Sequence, residues 1–143
     1  MGQVIKGAVK QIEGLQLVAY GGTGHAVLMD QKEEVGGFDQ APSPMELLLF
    51  GLAGCTAMDV ISILKKKREQ VKKVEVYFEA ERAEEHPKVY TKIHLKYIIK
   101  GKNVNPKSVE RAIELSETKY CSATAMLSKT AKITHEYVIV EEE

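Results

Sequence analysis

Residues 43–65 read SPMELLLFGLAGCTAMDVISILK. Ser43 is a strong N-cap, and Pro44 suits the first helical position, where its missing N–H is not needed. No further proline intervenes before Lys65–Arg68, whose positive charge favours a helix C-terminus. The run predicts one helix from Pro44 to about Gln70, roughly 40 Å long at 1.5 Å per residue. It is apolar on nearly every face, so it asks for cover on more than one side. Glu46, Asp59 and several glycines and small polar residues lie inside it, and no topology signals flank it. We therefore read it as the buried centre of a mixed fold and not as a membrane span.

Upstream, Leu15–Tyr20 and His25–Asp30 are strand-like and flank Gly21-Gly22-Thr23-Gly24. That tetrapeptide lacks both the Lys-Ser/Thr of a phosphate loop and the spacing of a dinucleotide fingerprint, and is read as a hairpin turn. Residues 31–43 follow as a polar loop around Gly36-Gly37. Downstream, Val74, Val76, Phe78 and Ala80 alternate with Glu75, Tyr77, Glu79 and Glu81, and the alternation resumes from Val89 to Ile99 across a turn at His86-Pro87. This predicts a half-buried antiparallel hairpin. Asn105-Pro106 opens an amphipathic helix with Val109, Ala112, Ile113 and Ser116 on one face, Cys121–Ala131 reads as a short helix, and Ile133, His135, Tyr137 and Ile139 mark a last strand. The class is α+β, in a single domain over residues 1–143 without internal repeats.

Composition limits the partners. The 20 basic and 20 acidic residues cancel, which argues against a nucleic acid or an anionic membrane. A chain of 143 residues buries roughly two thirds of its unfolded surface and needs no disulfide to fold. Its start, MGQVIKGAVKQIEG, has no apolar core of signal length, so a cytoplasmic location is expected, where thiols stay reduced.

The chain has two cysteines, Cys55 and Cys121. On a helical wheel Leu48, Gly51, Leu52, Asp59 and Ser62 share the face of Cys55, so space lies beside the sulfur. Gly51 and Gly54 fit a ligand pocket and close helix packing equally well. Cys121 opens a helical segment, where free N–H groups and the helix dipole lower a thiol pKa. That reasoning names Cys121 the more reactive thiol, although both cysteines also fit as inert small apolar residues. Their separation excludes a CxxC redox or zinc pattern, and His25, His86, His94 and His135 have no metal-ligand spacing, so neither a metal nor a cofactor is expected. His94 falls on the polar face of its strand, and His135, in register with apolar residues, is read as a core histidine.

SPMELLLFGLAGCTAMDV around Cys55 and KYCSATAMLSKTAKIT around Cys121, behind a short all-strand N-terminal part, resemble the OsmC/Ohr family of organic hydroperoxide reductases. The resemblance runs over essentially the whole chain. It implies an OsmC-like fold, with antiparallel sheets around a long buried central helix, in an intertwined homodimer whose subunits share two active sites. It further implies a thiol-dependent peroxidase in which Cys55 is peroxidatic and Cys121 resolving, acting on an organic hydroperoxide in oxidative-stress defence. A dithiol reductant, lipoyl-based in the better-known branches, would restore the thiols. A pocket lined by Leu48, Leu52 and Met58 would suit a fatty peroxide.

Two features depart from the peroxidase branches. Met45 stands where they carry the active-site glutamate, and the candidate here, Glu46, is nine residues before Cys55, about 180° round a straight helix. The first arginine is Arg68, so no arginine from the N-terminal strands reaches the thiol, leaving His25, Arg82 and Arg111 as candidate cations. Asp59, one turn beyond Cys55, disfavours a thiolate there unless it is paired. A dimeric binding module without turnover and a cysteine redox sensor are the alternative functions.

Overall fold

The computed structural model describes residues 2–143, which form two compact units that meet in the chain between Leu48 and Leu49. The first unit is an antiparallel meander of β1 (Gly7–Glu13), β2 (Gln16–Gly21) and β3 (Ala26–Met29). The β1–β2 turn rests on Gly14, whose φ of 56° disfavours a side chain. In the β2–β3 turn the Gly24 N–H donates to the Gly21 carbonyl at 3.0 Å, as the glycine run predicts.

The loop after β3 is organised by Asp30, which is 1% exposed. Its carboxylate accepts the N–H groups of Gln31 (2.7 Å), Phe38 (3.1 Å) and Gln40 (3.2 Å), and the Gln16 amide lies at 3.4 Å. Burial opposes its charge, but the donors prevail and hold the Asp30 pKa below the usual carboxylate value. At Gly37 a Cβ would overlap the Gln31 backbone and the Asp30 carboxylate, so the loop folds this tightly only with glycine there.

Helix α1 (Pro44–Lys66) starts in a capping box: the Glu46 N–H donates to Ser43 Oγ at 3.2 Å, and the Ser43 N–H donates to Glu46 Oε1 at 3.1 Å. It ends short of the expected Gln70. Arg68 adopts φ 60°, its N–H bonds the Lys65 carbonyl, and the Glu69 N–H reaches back to the Leu64 carbonyl. This is a Schellman close with arginine in the place glycine usually takes.

In the second unit β4 (Gln70–Arg82) and β5 (Tyr90–Lys102) form the expected antiparallel hairpin. The last strand, β6 (Lys132–Glu141), pairs with β5 in parallel, so this sheet is mixed and not purely antiparallel. The parallel pairing follows from the crossover between them: α2 (Pro106–Leu115), a π-helical turn (Ser116–Tyr120) and α3 (Ser122–Leu127). Ile93, Leu95, Tyr97 and Ile99 of central β5 are fully buried. So are Leu52, Thr56, Val60 and Leu64, one turn apart along α1, and Val109, Ala112 and Ile113 of α2. Phe50 and Phe78 rings lie 6.0 Å apart and Thr56 bonds Tyr97, which ties α1 to β4 and β5. The other side of α1 is open, with Met58 73% and Ile61 48% exposed. By length and composition α1 is apolar enough to cross a membrane, and a third of its most apolar window is buried in this chain.

Candidate functional site

Cys55 sits in the middle of α1, half-buried, and Asp59 follows one turn later. Cys121 is buried and joins the π-helical turn to α3. The wide turn lets the Cys121 N–H donate to the Ser116 carbonyl at 2.7 Å, after which Cys121 becomes extended and caps α3, its sulfur accepting the Thr124 N–H at 3.3 Å. Both cysteines are free thiols. The two sulfurs and a carboxylate oxygen of Asp59 all lie within 4.8 Å of one another.

A chain of buried hydroxyls stands behind this cluster. Ser116 Oγ donates to Asp59 Oδ2 at 2.9 Å, lies 2.8 Å from Thr56 Oγ1, and Thr56 Oγ1 lies 2.7 Å from the Tyr97 hydroxyl. A serine hydroxyl has one proton, and that of Ser116 goes to Asp59. Thr56 must then donate to Ser116, and Tyr97 to Thr56. The result is a one-way row of donors that fixes the carboxylate, and burial pushes the Tyr97 pKa well up.

Burial also pushes the Cys121 thiol up, against the lowering influence of Thr124 and together with the neighbouring Cys55 sulfur. The helix-terminus expectation pointed the other way. It fails because α3 has only six residues and the sulfur is withdrawn from water.

The remaining predicted residues are scattered. Glu46 spends one carboxylate oxygen on the capping box. Leu52 is fully buried, whereas Leu48 and Met58 are exposed. Arg68 closes α1, Arg82 Nε donates to the Lys88 carbonyl, Arg111 pairs with Glu114, and His25 lies in the first unit before β3. Asp59 is a charged side chain that stands against both sulfurs.

His135 is not a core residue: it is exposed, its Nδ1 lies 3.0 Å from Glu117 Oε1, and its ring meets Tyr97 edge-on. Burial raises the Glu117 pKa, and His135 acts to lower it. His94, on the opposite sheet face, is held by Thr134 at 2.7 Å and Glu136 at 2.6 Å. Sequence reasoning missed Thr56, Tyr97, Ser116, Glu117 and Thr124. A faint signal existed, since Thr56, Tyr97 and Ser116 each place a hydroxyl on an otherwise apolar face.

The family model described as OsmC-like protein matches residues 37–136. Protein YhfA of Escherichia coli (strain K12) is 44% identical over 132 residues, covering 92% of this chain and 96% of its own. A crystal structure of a protein from Aquifex aeolicus VF5 is 31% identical, with a TM-score of 0.86 over 99% of this chain and 100% of that one. The organic hydroperoxide resistance protein OhrB of Bacillus subtilis shares the fold at 11% identity, with a TM-score of 0.61 over 93% of this chain and 98% of its own. Matched by the family model across most of its length, and by relatives over 92% and 99% of it, the chain belongs to the OsmC-like protein family.

Proposed function

We propose that this protein reduces organic hydroperoxides to alcohols through Cys55 and Cys121. The observation that carries the reading is the closeness of two free thiols from distant parts of the chain, with sulfurs within 4.8 Å. A disulfide, about 2.05 Å long, requires the two sulfurs to close further from there. The Cys55 thiolate attacks the outer peroxide oxygen, the O–O bond breaks, and the alkoxide takes a proton to leave as alcohol, giving Cys55 sulfenic acid. The Cys121 sulfur then attacks Cys55, water departs, and the Cys55–Cys121 disulfide forms. A dithiol reductant returns both thiols and leaves as its own disulfide.

Cys55 takes the first step because it is the more open of the two, while Cys121 is buried and its thiol pKa is raised. The family resemblance makes Glu46 the candidate active-site carboxylate. The exposed apolar side of α1, with Met58 and Ile61, supports a homodimer in which a second copy covers it and completes a pocket for the alkyl chain. A cytoplasmic setting would supply the reductant.

Peroxide consumption by single variants tests the order of events. Cys55→Ser should abolish it, whereas Cys121→Ser should consume about one equivalent and trap a sulfenic acid. The reverse pattern would make Cys121 the peroxidatic residue. Glu46→Gln keeps the capping box, so turnover lost at unchanged melting temperature would mark a catalytic carboxylate. Unchanged turnover would reduce Glu46 to a cap.

A further inference from the structure

Cys55 and Asp59 project from one turn of α1, and Cys121 reaches the same point from the start of α3. Their ligand atoms fall within 4.8 Å of one another, and this is a donor set as well as a redox pair. A tetrahedral zinc ion, with Zn–S about 2.3 Å and Zn–O about 2.0–2.2 Å, places such donors about 3.5–3.8 Å apart. Any pair of these donors must therefore close by at most about 1.3 Å, a shift on the scale of a cysteine χ1 rotation.

The surroundings are those of a metal site. Ser116 donates to Asp59 Oδ2, which orients the carboxylate and occupies only one of its oxygens, and the Thr124 N–H donates to the Cys121 sulfur, as donors commonly do to metal-bound thiolates. Thr124 is 6% exposed, and its buried hydroxyl has no partner meeting hydrogen-bond geometry and lies beside the same sulfur. It provides a polar anchor for a water in a fourth coordination position. Two sulfurs and one carboxylate favour zinc over magnesium or calcium.

We infer that the reduced protein binds a zinc ion through Cys55 Sγ, Cys121 Sγ and the Asp59 carboxylate. Binding forms two Zn–S bonds and one Zn–O bond, and one proton leaves each thiol for solvent. No redox change accompanies it. The ion and the disulfide exclude each other, so zinc protects the dithiol from oxidation, and oxidation expels the metal.

Cobalt is the probe. Reduced, chelator-treated full-length protein should take up about one Co2+ per chain, with a near-ultraviolet sulfur-to-cobalt charge-transfer band and strong tetrahedral visible bands that Zn2+ erases. Cys55→Ser and Cys121→Ser should each weaken binding about 100-fold or more and cut the charge-transfer intensity, and Asp59→Asn should weaken it about tenfold or more while keeping that intensity. Wild-type protein supplies a second readout independent of variant folding: Zn2+ should slow iodoacetamide alkylation of both cysteines. Absence of the charge-transfer band, wild-type affinity in Asp59→Asn, or unprotected cysteines would each overturn the site. Peroxide turnover is measured on metal-free protein, so failure here leaves that reading standing, and the converse also holds.

Discussion

A thiol reacts as its thiolate, and burial at Cys121 works against that charge. In Cys55→Ser protein the alkylation rate of Cys121 should therefore still be climbing as pH passes 9.0, the ordinary value for the group, instead of levelling off there. A plateau near neutral pH would mean that an unassigned cation stabilises the Cys121 thiolate. Behind the thiols, Ser116→Ala removes the donor to the half-buried Asp59 and takes from the buried Thr56 hydroxyl its acceptor. It should cost about 1–3 kcal/mol in urea unfolding, against about 1 kcal/mol for Tyr97→Phe, which leaves Thr56 bonded to Ser116. Equal, negligible costs would show that the hydroxyl row carries no stability. The cysteines were legible because each sits in a distinctive local run. The hydroxyls were not, because a serine at the end of α2, a threonine in α1 and a tyrosine in β5 meet only in the folded chain.

At the scale of elements, α1 illustrates what a local pattern carries. Its start is written in adjacent residues, with Ser43, Pro44 and Glu46 each in a position of known preference. Its end is not, because Arg68 takes the left-handed conformation without the glycine that announces it. Arg68→Gly should relieve that strain and raise unfolding stability by about 0.5–1 kcal/mol. Lower stability would mean that the arginine side chain matters more than its backbone. The parallel pairing of β6 was likewise hidden, since alternation reveals a strand but not its neighbour. The polar loop after β3 proved to be ordered by one carboxylate. The folded pKa of Asp30 is lowered, so its stabilising effect is complete above the unfolded value of 3.8 and is lost as pH falls through the folded value. Asp30→Asn should lower the melting temperature at pH 7 and flatten its acid dependence. An unchanged acid limb would assign that dependence to other carboxylates.

For the whole molecule, the unfinished surface is the outer side of α1. Only a third of the most apolar window of this helix is buried within the chain, and a second copy of the chain is the proposed cover for the rest. Sedimentation at micromolar concentration should give twice the chain mass, and Met58→Glu should shift it toward a single chain. A well-folded wild-type monomer would end the shared-site proposal. Thiol counting with disulfide mapping reads the fate of the two sulfurs themselves. Reduced, metal-free protein mixed with an alkyl hydroperoxide should lose its two thiols per chain, yield the corresponding alcohol, and give one intrachain Cys55–Cys121 disulfide that a dithiol reverses. Thiols that survive peroxide levels sufficient to oxidise free cysteine would contradict the account and leave a binding module without turnover in its place.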